Sequence, residues 1–301
     1  MIRTIRLLLL AAFLSALAIG TGSAIAAEAL HFEKSGQGDK IVILVPGMGC
    51  SGAVWDGTVA DLQKDHTIYT LMLAGFDGTP PLTPTIKAPL CDQWADGIAK
   101  LIAHEKLTKP IVCGHSLGGN VALRLAIRHP DAAGAIIVVD GMPIFPPLQP
   151  GETIEQRQDQ AKAMSQAMKL STPEQFAAQT KMAATMLITR PQDAETIAAI
   201  CQRADRDTFI EATRELIGTD LRPDLVKIKV PVVMIAAVAR EGEYGQSAAA
   251  NHAYVDKAYR DVFQGTPQLK LTFIPDSRHF VMYDQPRVFL ERLRAELDAI
   301  Q

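Results

Sequence analysis

Ile111-Val112-Cys113-Gly114-His115-Ser116-Leu117-Gly118-Gly119-Asn120 is the stretch that decides the fold. An apolar run from Pro110 to Cys113 halts at a glycine, and a helical pattern resumes at Val121 and continues to Arg128. Ser116 therefore stands in Gly-x-Ser-x-Gly at a strand–turn–helix junction, the context in which that pattern carries meaning. Such a turn lifts the serine oxygen above the sheet edge only if it is very tight. A Cβ two residues before or after Ser116 would strike neighbouring backbone, so Gly114 and Gly118 are required. The turn also aims the unpaired N–H groups of the next helix at the serine.

Outward from this turn, strands and helices alternate. Leu30-His31-Phe32-Glu33 reads as an edge strand, and Ile41-Val42-Ile43-Leu44-Val45 as a strand buried on both faces, since it shows no alternation. The latter runs into Pro46-Gly47-Met48-Gly49-Cys50-Ser51, and an amphipathic stretch follows over 53–64. Further strands are expected at 66–73, 135–139, 230–236 and 269–274, with helices at 92–106, 247–263 and 286–300. Between 143 and 227 the strand pattern stops. Residues 151–219 are rich in Ala, Gln, Met and Glu with helical spacing, broken at Pro173 and Pro191. We expect an α/β fold with a mostly parallel central sheet, helices on both faces and an inserted helical lid. In domain terms the core is 27–142 and 228–301, and the insertion is 143–227. Ligands of such sheets bind beyond the carboxyl ends of the strands. Gly47-Met48, Ser116, Asp140 and the loop after Ile274 all fall at those ends.

A chain of 301 residues suffices for one large core with an inserted subdomain. The formal charge of −3 leaves no basic footprint, which argues against nucleic acid as a partner. At the N-terminus, Arg3 and Arg6 precede an apolar run over 7–20, and Ala24-Ile25-Ala26 is a small-x-small cleavage site. We read 1–26 as a cleavable signal peptide that directs a periplasmic or secreted protein. The apolar run falls short of the roughly 20 residues needed to span a bilayer, so no stable membrane span is expected after cleavage. Four cysteines (Cys50, Cys91, Cys113 and Cys201) fit no zinc spacing. Cys113 falls in the central strand as a buried small hydrophobe, and an oxidising compartment permits one bridge among the other three. Neither a metal nor an organic cofactor is indicated, and the sequence does not specify an oligomeric state.

A serine hydroxyl is a poor nucleophile at neutral pH unless a base lies within hydrogen-bond reach. Seven histidines are available. His115 adjoins Ser116, but neighbours on a tight turn point apart, so it reads as structural. His31, His66, His104 and His129 take surface or strand-start positions, and His252 lies on a helix. His279 differs, because Ile274-Pro275-Asp276-Ser277-Arg278-His279-Phe280 follows the last strand at the functional edge of the sheet. His279 is the expected base. Asp276, three residues earlier, is expected to fix that loop through side-chain-to-backbone bonds.

Pro46-Gly47-Met48-Gly49, Gly114-His115-Ser116-Leu117-Gly118-Gly119, and Asp276-Ser277-Arg278-His279 followed by Asp284-Gln285-Pro286 together resemble the α/β-hydrolase fold family, in particular its serine esterases and lipases with a helical cap. The resemblance covers roughly 40–140 and 228–300. It implies that the backbone N–H groups of Met48 and Leu117 form an oxyanion hole. The family usually sets the acid of its triad just after the strand at 230–236. Here that turn reads Ala237-Val238-Ala239-Arg240-Glu241-Gly242-Glu243, with no aspartate. Some members carry the acid one strand earlier, where Asp140 stands. Asp140, Glu241 and Glu243 therefore remain open, as does a site without a direct acid. In the insertion, Met164, Met168, Met182 and Met186 form i, i+4 pairs as on one helix face, either as lid core or facing an apolar substrate. Trp55 and Phe76 either line the entrance or pack beneath it.

The expected function is a secreted serine hydrolase that cleaves a small apolar carboxylic ester through an acyl-enzyme on Ser116. The alternatives are a weak or inactive ligand-binding protein on the same scaffold, and an acyltransferase or carbon–carbon hydrolase using the same triad. A halide-displacing relative is disfavoured, because it needs a carboxylate where Ser116 stands.

Overall fold

The computed structural model describes residues 29–82 and 88–300. The expected signal peptide at 1–26 lies outside the described residues. Seven strands, β1 (Leu30–Ser35), β2 (Lys40–Val45), β3 (His66–Leu73), β4 (Ile111–His115), β5 (Ala135–Val139), β6 (Val232–Ala237) and β7 (Leu269–Ile274), form one sheet in the order β1-β3-β2-β4-β5-β6-β7. Only β1, at the edge, runs antiparallel to its neighbour; every other pairing is parallel.

Successive residues of a strand point to opposite faces, and the core divides accordingly. Ile43, Val45, Val112, Ile136, Val138 and Met234 join one buried cluster with side chains of α2 (Leu90–His104) and α3 (Leu117–Arg128). Val42, Leu44, Cys113, Ile137, Val139 and Ile235 join the other, with Leu62 of α1 (Asp56–Leu62) and residues contributed later in the chain by α10 (Pro286–Ala299). An unbroken apolar run in β2, β4 and β5 is what a strand covered on both faces needs. Trp55 and Phe76 are both fully buried, so they pack beneath the site and do not line its entrance.

Four helices fall between β5 and β6: α4 (Ile154–Leu170), α5 (Pro173–Leu187), α6 (Pro191–Cys201) and α7 (Arg206–Gly218). Their starts are chemically marked. Thr153 with Gln156 and Thr172 with Gln175 make reciprocal capping boxes, and Pro173 and Pro191 open α5 and α6 where their missing N–H costs nothing. On α7, the buried Glu215 carboxylate accepts the N–H groups of Leu90 and Cys91 at 2.6 and 2.8 Å. It caps the start of α2 and ties the insertion to the core. After β6 come α8 (Ala248–Val262), β7, the short α9 (Val281–Asp284) and α10. The single turn of α9 carries no periodicity of its own that sequence reading could detect. All four cysteines are buried thiols.

Candidate active site

Ser116 sits between β4 and α3 with φ 54° and ψ −118°, a backbone conformation that side-chain-bearing residues rarely adopt. Its surroundings hold it there. Its N–H donates to Val139 O at 2.9 Å, and its carbonyl accepts from Asn120 N at 3.1 Å. A Cβ on Gly114 would lie 2.2 Å from Gly118 O, and one on Gly118 would lie 2.4 Å from Val45 O. Both glycines are thus enforced by close backbone approach, as the turn requires.

Asp140 follows β5 with φ 45°, a value aspartate tolerates better than most residues. Its N–H is held by Ile235 O at 2.9 Å. Its carboxylate collects three donors: Ala237 N and Tyr259 Oη at Oδ1, both at 2.9 Å, and His279 Nδ1 at Oδ2, at 2.7 Å. Burial pushes this carboxyl up, but the bond and charge of His279, with the Ala237 and Tyr259 donors, outweigh it and bring the group below its ordinary value. The carboxylate can only accept, so Nδ1 of His279 carries the proton and Nε2 is left as the free basic nitrogen. Tyr259, on α8, had no sequence signal that tied it to Asp140.

Neither acidic alternative bonds His279 among the described residues. Glu241 is exposed on the turn after β6. Glu243 Oε1 accepts from Arg278 Nε at 2.6 Å. The loop carrying His279 is anchored by Asp284, with Oδ2 accepting from Arg278 N at 2.8 Å and Oδ1 from Thr189 N at 2.9 Å. That corrects the role expected of Asp276. Asp276 supplies a positive φ of 54° and a backbone carbonyl bonded by Gln285, while a carboxylate eight residues further on does the fixing.

His115 is fully buried between the loops that converge here. Its Nε2 donates to the carbonyl of His279 at 3.0 Å, and its ring centroid lies 4.6 Å from those of both His279 and Phe280. On the other side, a Cβ on Gly47 would come within 2.9 Å of its Nδ1. Burial, then the nearby His279, lowers its pKa to about 3, so it is a neutral donor and not a second base.

Ser116, Asp140, His279 and Met48 all line one cavity of about 670 Å³. Among the described hydrogen bonds, the Ser116 hydroxyl makes none with His279; in substrate-free sites this contact is often long and tightens only on binding. Leu117 is the first residue of α3, and Met48 lies in the loop after β2, so both amides sit at the strand ends beside Ser116. Neither amide is engaged in a hydrogen bond among the described residues. Five of the chain's ten methionines, Met48, Met142, Met164, Met168 and Met186, face the cavity, with Phe145, Phe176 and Phe209. Three of the four methionines singled out in the insertion are therefore in the lining, while Met182 is 62% exposed and outside it.

Compared with known proteins, residues 42–292 match the model of the alpha/beta hydrolase family. The chain is 28% identical over 217 residues to a pimeloyl-[acyl-carrier protein] methyl ester esterase of Vibrio atlanticus, a match covering 69% of this chain and 79% of that protein. It is 29% identical over 119 residues to a putative carbamate hydrolase, RutD, of Yersinia enterocolitica, covering 38% of this chain and 42% of that protein. Several of the curated relatives are thus matched over less than half of their length. Among solved structures, a thermophilic esterase from Thermogutta terrifontis superposes with a TM-score of 0.70 at 20% identity, over 90% of this chain and 93% of that one.

Proposed function

The chain belongs to the alpha/beta hydrolase family, and from that premise we propose that it cleaves small, apolar carboxylic esters through an acyl-enzyme on Ser116. His279 Nε2 takes the hydroxyl proton as the serine oxygen attacks the ester carbonyl, and returns it to the departing alcohol. Asp140 fixes the ring and its tautomer and stabilises the imidazolium that forms. The backbone N–H groups of Met48 and Leu117 hold the oxyanion, each contributing roughly 2.7–4 kcal/mol of transition-state stabilisation. Water then attacks the acyl carbonyl with His279 again as base, and Ser116 is regenerated. The observation that carries this reading is the 2.7 Å bond from His279 Nδ1 to Asp140, made at the wall of the cavity that also holds Ser116.

The substrate class rests on the lining. Apolar side chains, five of them methionines, dominate the cavity, and adaptable thioethers suit an acyl chain or another apolar group. The relatives' names, a methyl ester esterase and a putative carbamate hydrolase, support an ester or related carbonyl substrate for these steps. The reading as an inactive binding scaffold drew its motive from the turn after β6, which lacks an aspartate; the bond from His279 to Asp140 supports the hydrolytic reading over it.

The test is labelling with a fluorophosphonate probe, alongside turnover of p-nitrophenyl acetate and butyrate. We expect one covalent adduct and ester turnover, both lost in a folded Ser116→Ala variant. An adduct that persists in Ser116→Ala, or no adduct on the folded wild type, rejects the mechanism. We also propose export with removal of 1–26, on the strength of the charged, apolar and small-residue pattern at the N-terminus. Mature protein recovered outside the cytoplasm and beginning at Ala27 is the expected result, and an intact Met1 terminus in the cytoplasm would overturn it.

A further inference from the structure

Cys50 and Cys201 are 151 residues apart in sequence, yet their sulfurs lie 3.7 Å from each other. Cys50 closes the loop that presents Met48, its N–H bonded to Gly47 O at 3.1 Å. Cys201 is the last residue of α6 in the helical insertion, and its thiol also donates to the Met48 carbonyl at 3.6 Å. The two segments are in close contact around the pair. A Cβ on Gly49 would fall 3.5 Å from Cys201 Cβ and 2.8 Å from the Phe209 ring. Among the described residues Cys91 and Cys113 have no such sulfur neighbour. This dithiol takes no part in the hydrolytic steps above.

We propose that Cys50 and Cys201 form a redox site that accepts a two-electron disulfide oxidant and becomes a bridge between the oxyanion loop and the insertion. A disulfide S–S bond is about 2.05 Å long, so each sulfur needs to travel only about 0.8 Å. Attack starts at Cys201, 7% exposed where Cys50 is wholly buried. Its thiolate displaces one thiolate from the oxidant and leaves a mixed disulfide on Cys201. The Cys50 thiolate then attacks the Cys201 sulfur and displaces the second. Two electrons pass to the oxidant, and the two thiol protons end on the two released thiols. The bond from Cys201 and burial both push the Cys50 thiol well above its ordinary pKa, in keeping with Cys201 reacting first. Closing the bridge removes the thiol donor from the Met48 carbonyl and puts a covalent tether in its place.

The experiment incubates the full chain with oxidised glutathione, quenches by acidification, counts thiols after unfolding and maps linked peptides by mass spectrometry. We expect the count to fall from four thiols to two, with the peptides of Cys50 and Cys201 joined and no glutathione retained. Dithiothreitol should restore all four, and thermal unfolding of the bridged form should shift upward by several degrees. Cys201→Ala should abolish the link while Cys91→Ala leaves it intact. If either variant fails to fold, the wild-type peptide map still decides. Four thiols remaining after incubation with the oxidant, glutathione retained on Cys201 in place of the bridge, or a bridge through Cys91 or Cys113 would overturn the proposal. Thiol counting does not involve Ser116, so this result is independent of the hydrolytic reading.

Discussion

The floor and the roof of the cavity are built on opposite principles. The floor comes from the carboxyl ends of β4, β5 and β7, where Ser116, Asp140 and Asp276 all have positive φ and glycines sit where a single Cβ would collide with backbone. Several of its polar groups are bonded to specified partners: three donors on Asp140, one acceptor for His115 Nε2 and two loop segments on Asp284. The roof comes from the helical insertion. There Met164 and Met186 line the cavity while 44% and 67% exposed, and Leu170 and Met182 project into solvent at 86% and 62%. Close packing and specific long-range hydrogen bonds fix geometry closely, whereas unbranched thioethers on a partly exposed face adapt to what they meet. The floor is where position matters; the roof is where shape is negotiable.

The contrast breaks first if the acid of the floor is dispensable. Asp140→Asn preserves shape but lets the imidazole settle in the wrong tautomer, and kcat should fall by about 10⁴, or about 5.5 kcal/mol. Glu241→Gln, on an exposed turn, should leave kcat within about two-fold. Steady-state kinetics on p-nitrophenyl butyrate separates the two, and the reverse pattern would move the acid to the turn after β6. Next comes Gly118→Ala. The added methyl would sit 2.4 Å from Val45 O and 2.5 Å from Pro46 O, backbone atoms that cannot swing aside. We expect a loss of about 4 kcal/mol in urea unfolding, or insoluble protein. A soluble variant within 1 kcal/mol of wild type would show that the floor yields more than its packing implies.

How much of this was legible beforehand follows the same division. Strands buried on both faces and a glycine-flanked serine leave local marks, so the sheet and the elbow could be read directly. The insertion announced itself through helical spacing and two prolines, because those act within a few residues. Asp140 was one choice among several, since a carboxylate's partner is set by strand order: β5 lies between β4 and β6, and only the assembled sheet brings its end to the loop after β7. Tyr259 and the Arg278–Glu243 pair left no trace for the same reason, being contacts across 119 and 35 residues. Asp284 was in view within Asp284-Gln285-Pro286, but its role depends on Thr189 and Arg278, which no local pattern connects.

His115 sharpens the comparison through pH. Its folded pKa of about 3 lies below the value of about 6.5 expected in the unfolded chain. Between those values the unfolded state holds a proton that the folded state does not, so stability rises with pH and is lost as pH falls. From pH 7 to pH 5 the wild type should lose about 2 kcal/mol more than His115→Leu, which has no proton to take up. Urea midpoints at the two pH values read the difference directly. Parallel losses in both proteins would mean that this buried ring titrates like an exposed one, and that the floor is wetter than its packing suggests.

The smallest expected effect belongs to the roof. Met168 is half-buried in α4 and reaches the cavity without a hydrogen bond of its own side chain among the described residues. Met168→Ala removes apolar surface from the lining but nothing that positions Ser116 or His279. Each buried methylene is worth about 0.8 kcal/mol, so part of that loss should appear only for substrates long enough to touch the site. We expect kcat/KM for p-nitrophenyl hexanoate to fall about five-fold, chiefly through KM, while acetate turnover changes less than two-fold. An equal fall in kcat for both esters would place Met168 among the position-setting groups, and the line between a rigid floor and an adaptable roof would have to be redrawn through α4.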